Sequence, residues 1–198
     1  MRIVAGEFKG RQLVTPPGDR TRPTAARARE ALFAILGDVS AVRVLDLYAG
    51  SGALGLEALS RGAQQLVLVE AGRAAQRAIR TNIEALGVLP HATLLPLRAE
   101  ASLKALDRLG PFDLVFADPP WSDAQDALTV FDKLVSCALL DPAARLVLEH
   151  AARTQPTPSI GSHLQPVQTR HWGDTAVTIF EVRAPAAVGA GPAAVPLP

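Results

Sequence analysis

Asp118-Pro119-Pro120-Trp121 is a turn rich in hydrogen-bond acceptors, set directly after the apolar run from Phe112 to Ala117. The Asp118 carboxylate and the Pro119 carbonyl can each accept one N–H bond, so together they can hold an NH2 group with its lone pair aimed outward. The exocyclic amine of guanine or adenine is a weak nucleophile because that pair is delocalised into the ring. Fixed acceptors favour the tetrahedral nitrogen that forms as a new bond to carbon develops. Pro119 and Pro120 stiffen the backbone that presents them, and Trp121 can stack on a base taken out of its helix. In-line approach to about 3 Å then lowers the barrier by several kcal/mol. No strong base is needed, since the nitrogen becomes acidic once alkylated. An acid here would be awkward in a plain proline-rich turn, because it follows a buried strand with no ligand to meet.

A second constellation runs from Asp46 through Leu47-Tyr48-Ala49-Gly50-Ser51-Gly52 to Gly55. Glycines before a helix let a ligand approach the backbone closely, and the first helical N–H groups offer positive potential. The backbone of Ala49, Gly50, Ser51 and Gly52 is therefore expected to contact the ligand. Gly-x-Gly-x-x-Gly alone is shared with dinucleotide enzymes. Asp46 discriminates, because a carboxylate four residues before the first glycine would repel a pyrophosphate and favour a cation. S-adenosylmethionine carries a sulfonium, an ammonium and a single carboxylate, which matches an acid beside helix N–H groups. Glu70, 20 residues after Gly50, stands where a carboxylate can accept both ribose hydroxyls. Arg98-Ala99 follows the next strand at the position of an adenine lid. The Ala99 N–H could donate to a ring nitrogen, whereas Arg98, which has no acceptor, could only stack or touch another group.

These loops need a frame that brings them together. From Val42 onward, short apolar runs alternate with helical stretches, the pattern of a parallel sheet with crossover helices. Strands are predicted over 42–47, 65–70, 92–97, 112–117 and 144–149, and helices near 53–60, 73–86, 99–108 and 124–137. Segments 165–171 and 174–182, joined through Gly173-Asp174, predict a closing antiparallel hairpin. Seven strands result, and an antiparallel end separates the sheet from a dinucleotide-binding domain. The expected class is thus α/β: Rossmann-like, mostly parallel, with a terminal antiparallel hairpin. Upstream, 2–6 and 11–15 predict a small β-hairpin across Gly10. Thr24 is placed to cap a helix whose Ala28, Ala31, Leu32, Ile35 and Leu36 share one face. In an open parallel sheet the crevice lies at the strand C-terminal ends, which sets the loop after 112–117 beside the loop after 42–47.

Composition bounds the rest. A chain of 198 residues suits one domain, expected over 1–183 with 1–23 as a basic extension. Residues 184–198 carry no charge and no periodicity, as in a disordered tail. Cys137 is the only cysteine, and His91, His150, His163 and His171 lack paired ligand spacing, so no metal is expected. No apolar stretch approaches the roughly 20 residues of a membrane span and no signal peptide is evident, so a cytoplasmic protein is expected. The net charge of +1 hides an asymmetry: residues 1–30 hold seven bases against three acids and carry +4, which suits a polyanionic partner.

With these residues in hand, the chain resembles the RsmD family of bacterial 16S ribosomal RNA (guanine-N2) methyltransferases. The resemblance rests on Arg2-Ile3-Val4-Ala5-Gly6 with Gly10-Arg11, on Arg22-Pro23-Thr24 continuing to Phe33, and on Asp46 to Gly62, Glu70 and Asp118 to Trp121. It implies a class I fold, S-adenosylmethionine as methyl donor, and the N2 amine of a guanine in 16S RNA or an assembling 30S subunit as acceptor. It further implies that Thr24 and its helix close over the cofactor, while Arg2, Lys9, Arg11 and Arg22 of the basic extension contact RNA. A monomer is expected. Trp121 stands where the family often has Phe or Tyr, and Arg98 replaces a small polar or acidic residue. Two other enzyme readings are an adenine-N6 methyltransferase, which can use the same loop, and an NAD(P) oxidoreductase, which the glycines alone permit. A non-catalytic assembly factor keeping the fold is the third.

Overall fold

In the computed structural model, residues 1–17 and 23–183 are described, the side chains of 23–25 excepted. Arg22, the side chain of Thr24 and the tail over 184–198 therefore lie outside the described residues. Helix α1 spans Pro23–Leu36. A proline opens a helix well, because its φ is preset and its missing N–H would have had no partner there. Thr24 accordingly falls inside the first turn rather than at the cap.

Strands β1 (Arg43–Leu47), β2 (Gln65–Val69), β3 (Ala92–Leu95), β4 (Phe112–Ala117), β5 (Leu140–Ala151), β6 (Leu164–Trp172) and β7 (Thr175–Val182) make one seven-stranded sheet in the order β3-β2-β1-β4-β5-β7-β6. The first five are parallel, and β7 inserts antiparallel between β5 and β6. Helices α2 (Ala53–Ser60), α3 (Arg73–Leu86), α4 (Leu103–Leu106) and α5 (Ala124–Ser136) provide the crossovers. Successive residues of a strand face opposite sides. Val44, Leu66, Leu68, Leu114, Phe116, Val147 and Ile179 form one core with α1, α2 and α3. Leu45, Val67, Val115, Leu146 and Leu148 form the other with α5.

Three local expectations change in detail. The helix expected over 99–108 splits into a 3-10 turn, Ala99–Ala101, and α4. The Ser102 hydroxyl donates back to the Ala99 carbonyl at 2.8 Å and diverts the chain there. β5 begins at Leu140, earlier than the 144 expected, and includes Pro142; its register against β4 shifts between Phe112 and Leu114.

The N-terminal hairpin is the third case. Its arms pair through a single bridge, Arg2 with Gln12. Around it Ile3 N–H donates to the Arg11 carbonyl and Gly10 N–H to the Ile3 carbonyl, both at 3.0 Å, and Leu13 N–H to the Met1 carbonyl at 2.7 Å. Other backbone groups bind helices: Val4 and Ala5 donate to the Glu57 carboxylate at 2.8 and 3.0 Å, Glu7 to the Ser60 carbonyl at 2.7 Å, and Val14 to Asn82 Oδ1 at 2.7 Å. The arm is thus clamped onto α2 and α3. Gly6, at φ 80°, presses so closely that a Cβ would lie 1.7 Å from the Ser60 carbonyl oxygen.

Candidate active site

The acids that end the parallel strands converge on one cleft. Its volume is about 470 Å3, and its walls include Asp46, Ala49, Gly50 and Ser51 from the β1–α2 loop, Asp118 and Trp121 from the β4–α5 loop, and Glu149 of β5. Arg29 and Leu32 of α1 and the Trp172–Thr175 turn of the β6–β7 hairpin complete it. Leu47 pairs with Ala117 and Ala117 with Leu148, so the loops leave neighbouring strands at one level of the sheet.

Asp46 is buried, and its Oδ2 accepts the Gly55 N–H at 2.9 Å. That approach needs glycine, because a Cβ on Gly55 would lie 2.5 Å from Leu66 Cδ1 and 3.0 Å from the Asp46 oxygen. Burial pushes the Asp46 carboxyl up to about 8; the Gly55 bond opposes the shift, while Asp118 and Glu70 add to it. Gly50 and Gly52 adopt φ of 57° and 78°, left-handed values that glycine reaches without strain and that open the loop backbone to a ligand.

Glu70 holds the rim of the loop, accepting Gly50 N–H at 2.8 Å and Gly72 N–H at 2.6 Å, one on each oxygen. A carboxylate has about four lone-pair sites, so two hydroxyls can still be accepted. Tyr48 lines the cleft at φ 57° and donates its hydroxyl to Glu100 Oε1 at 3.0 Å. Burial, then Glu100, raises its pKa and keeps the phenol protonated. Glu149 is held up to about 8 by burial and by the nearby Asp118.

At the mouth, Trp121 is 41% exposed, and the Arg153 guanidinium carbon lies 5.9 Å from its ring centroid. Pro119 is buried beneath the loop and Pro120 is exposed. Not every anticipated residue lines the cleft. Gly52 and Ala99 are buried, Glu70 is half-buried and Arg98 is exposed, and none of the four is among the cleft's walls. Arg2, Lys9 and Arg11 are exposed on the arm, where Arg11 donates to the Ala85 carbonyl near the end of α3.

Several residues escaped sequence reasoning. Glu57 is fully buried and binds Arg61 Nε at 2.9 Å, Arg29 Nε at 3.4 Å and the two arm amides. Asn82 donates to the carbonyls of both Ser51 and Val14 at 2.9 Å, joining the glycine loop to the arm. Glu149 did carry a readable signal: like Asp46, Glu70 and Asp118, it is an acid near the C-terminal end of a buried strand.

A family model described as "Conserved hypothetical protein 95", that of the RsmD family, matches residues 1–181. The chain belongs to the RsmD family. Among its relatives, YlbH of Bacillus subtilis is 33% identical over 187 residues, covering 92% of this chain and all of that protein. Ribosomal RNA small subunit methyltransferase D of Escherichia coli K12 is 38% identical over 122 residues, 61% of this chain and 60% of that protein. The solved structure of yhhF from Escherichia coli superposes with a TM-score of 0.76 at 28% identity, covering 93% of this chain and 99% of that one. The architecture is that of the class I S-adenosylmethionine-dependent methyltransferases. Residues of this RsmD-family cleft fit that donor. A buried acid, a rim carboxylate and an open left-handed glycine loop complement its cation, its ribose and its carboxylate respectively.

Proposed function

We propose that this protein transfers the methyl group of S-adenosylmethionine to the N2 amine of a guanine in 16S ribosomal RNA. The observation that carries the reading is the single cleft joining Asp46, Gly50 and Ser51 to Asp118 and Trp121. Family membership supports the chemistry, and the name of the Escherichia coli relative supports ribosomal RNA as its carrier. Residues 1–183 act as one methyltransferase domain in this reading.

When bound, the donor supplies an electrophilic methyl group on a sulfonium. The chain's own residues do the rest. Asp46 and the 49–52 backbone receive its methionyl part, Glu70 its ribose, and Ala99 its adenine. Asp118 and the Pro119 carbonyl accept the two N–H bonds of the target amine and turn its lone pair toward the methyl carbon. Pro120 keeps that backbone rigid, and Trp121 stacks on the flipped base. α1, which contributes Arg29 and Leu32 to the cleft wall, covers the donor and excludes water. Arg2, Lys9 and Arg11 meet phosphates outside the cleft.

The test is labelled methyl transfer to 30S subunits from a strain lacking the corresponding enzyme, with the product nucleoside identified. N2-methylguanosine at one position is expected; label in adenosine alone, or none, would reject the reading.

The raised Asp46 pKa adds a second expectation. Because the folded carboxyl titrates near 8 instead of its ordinary value, the ligand-free site holds a proton at pH 7, and folded-state stability falls as pH rises from about 4 to 8. A sulfonium favours the ionised form, so binding drives that proton off. Calorimetry in buffers of different ionisation enthalpy should show release approaching about one proton at pH 7 and affinity rising with pH toward 8. Asp46→Asn should abolish the release, and equal release from the variant would move the effect to another group.

A further inference from the structure

We propose that Glu149 reads the N1–H of the target guanine beside the amine held at Asp118, and so rejects purines that carry an acceptor at N1. The inference rests on the guanine reading above and deepens it.

Three observations on the fold carry it. Ala117 pairs with Leu148 in parallel register, so Asp118 and Glu149 are the next residues along adjacent strands. Asp118 has the parity of Leu114 and Phe116, and Glu149 that of Val147, all on the α1–α2–α3 side of the sheet, so both acids face the same side. Both line the one cleft. On its other flank Glu149 pairs with Val177, an apolar cleft residue that offers a base edge no competing hydrogen bond.

The chemistry of the base edge completes the case. Guanine presents two adjacent donor groups, the N2 amine and N1–H, and two adjacent carboxylates are the acceptor set that matches them. Adenine presents its amine beside a bare N1 acceptor. With that base, ionised Glu149 would face a lone pair and leave a half-buried carboxylate unmatched. The site therefore separates the purines by donor and acceptor pattern, with Asp118 selecting an amine and Glu149 selecting its neighbour. Burial and Asp118 hold the Glu149 carboxyl up to about 8, so the preference for guanine should widen as pH rises through 8 and the ionised, acceptor-only form takes over.

The experiment compares 30S subunits reconstituted with two 16S RNAs, one with guanine and one with 2-aminopurine at the mapped modification site. Both have a 2-amine, but 2-aminopurine has an acceptor at N1. Wild-type protein should prefer guanine in kcat/KM by roughly 10- to 100-fold, the usual discrimination of a good base contact. Glu149→Gln, whose amide can donate to a bare N1, should bring the two substrates to within about threefold of each other by slowing guanine and quickening 2-aminopurine. Glu149→Ala should slow guanine without quickening 2-aminopurine, which separates recognition from simple loss of packing. A guanine preference unchanged in both variants would overturn the role of Glu149 while leaving guanine methylation intact. Absence of transfer from wild-type protein to any guanine would instead remove the reading beneath it.

Discussion

Asp118→Ala is expected to lower kcat for methyl transfer by on the order of 1,000-fold, the scale seen when one preorganised group that acts only in a transition state is removed. Binding of S-adenosylmethionine should not weaken, because in the proposed reading Asp118 holds the acceptor amine. A graded series sharpens the expectation. Asp118→Asn keeps one carbonyl acceptor and should lose less than the alanine variant. The substitution also removes a negative charge that pushes up both Asp46 and Glu149, so their carboxyls should titrate lower in either variant. Single-turnover kinetics with titration of donor affinity measures both effects. Donor affinity falling in step with kcat would assign Asp118 to the cofactor side of the cleft.

Glu57→Ala should reduce folding stability by roughly 3–5 kcal/mol, as expected when one partner of a buried ion pair is deleted. The side chain is fully buried and serves Val4, Ala5, Arg29 and Arg61 together. Its loss strands the Arg29 guanidinium, which is 5% exposed and whose charged form burial already disfavours. Two amides of the arm would lose their acceptor as well. Arg29→Met combined with Glu57→Ala should recover part of the loss, because an apolar replacement leaves no stranded charge. Urea unfolding monitored by circular dichroism reports the difference. A loss below about 1 kcal/mol for Glu57→Ala would mean that the arm is held mainly by the Ser60 contacts.

The parallel half of the sheet was legible because its strands are buried on both faces and read as continuous apolar runs, each followed by a helical period. β1, β2 and β4 match expectation to within a residue or so at their ends. The candidate cleft was legible through two of its acids: Asp46 and Asp118 each end or follow such a run, and both line it. What stayed hidden depends on pairing between distant segments. Glu57 sits on a helix buried from Gly55 to Ser60, and its partners at residues 4 and 5 leave no periodic trace. Pro142 masked the start of β5, since proline within an apolar run reads as a break. Pro166 marks the sheet edge, falling in β6 beside a shift of register against β7. The arm reads as a hairpin because its residues alternate, and it pairs as one around Arg2 and Gln12, while helices take the backbone groups of Val4, Ala5, Glu7 and Val14.

Asn82 spends one amide group on two tasks. Its nitrogen donates to the carbonyls of Ser51 and Val14, and its oxygen accepts the Val14 N–H. The side chain is buried, 1% exposed, so none of these bonds can be traded for water without opening α3. A tug on the basic arm at Val14 must therefore be felt at Ser51, two peptide planes from the glycine turn's exit into α2. In the proposed reading, the segment that meets a polyanion and the loop that meets a small cation thus share one rivet.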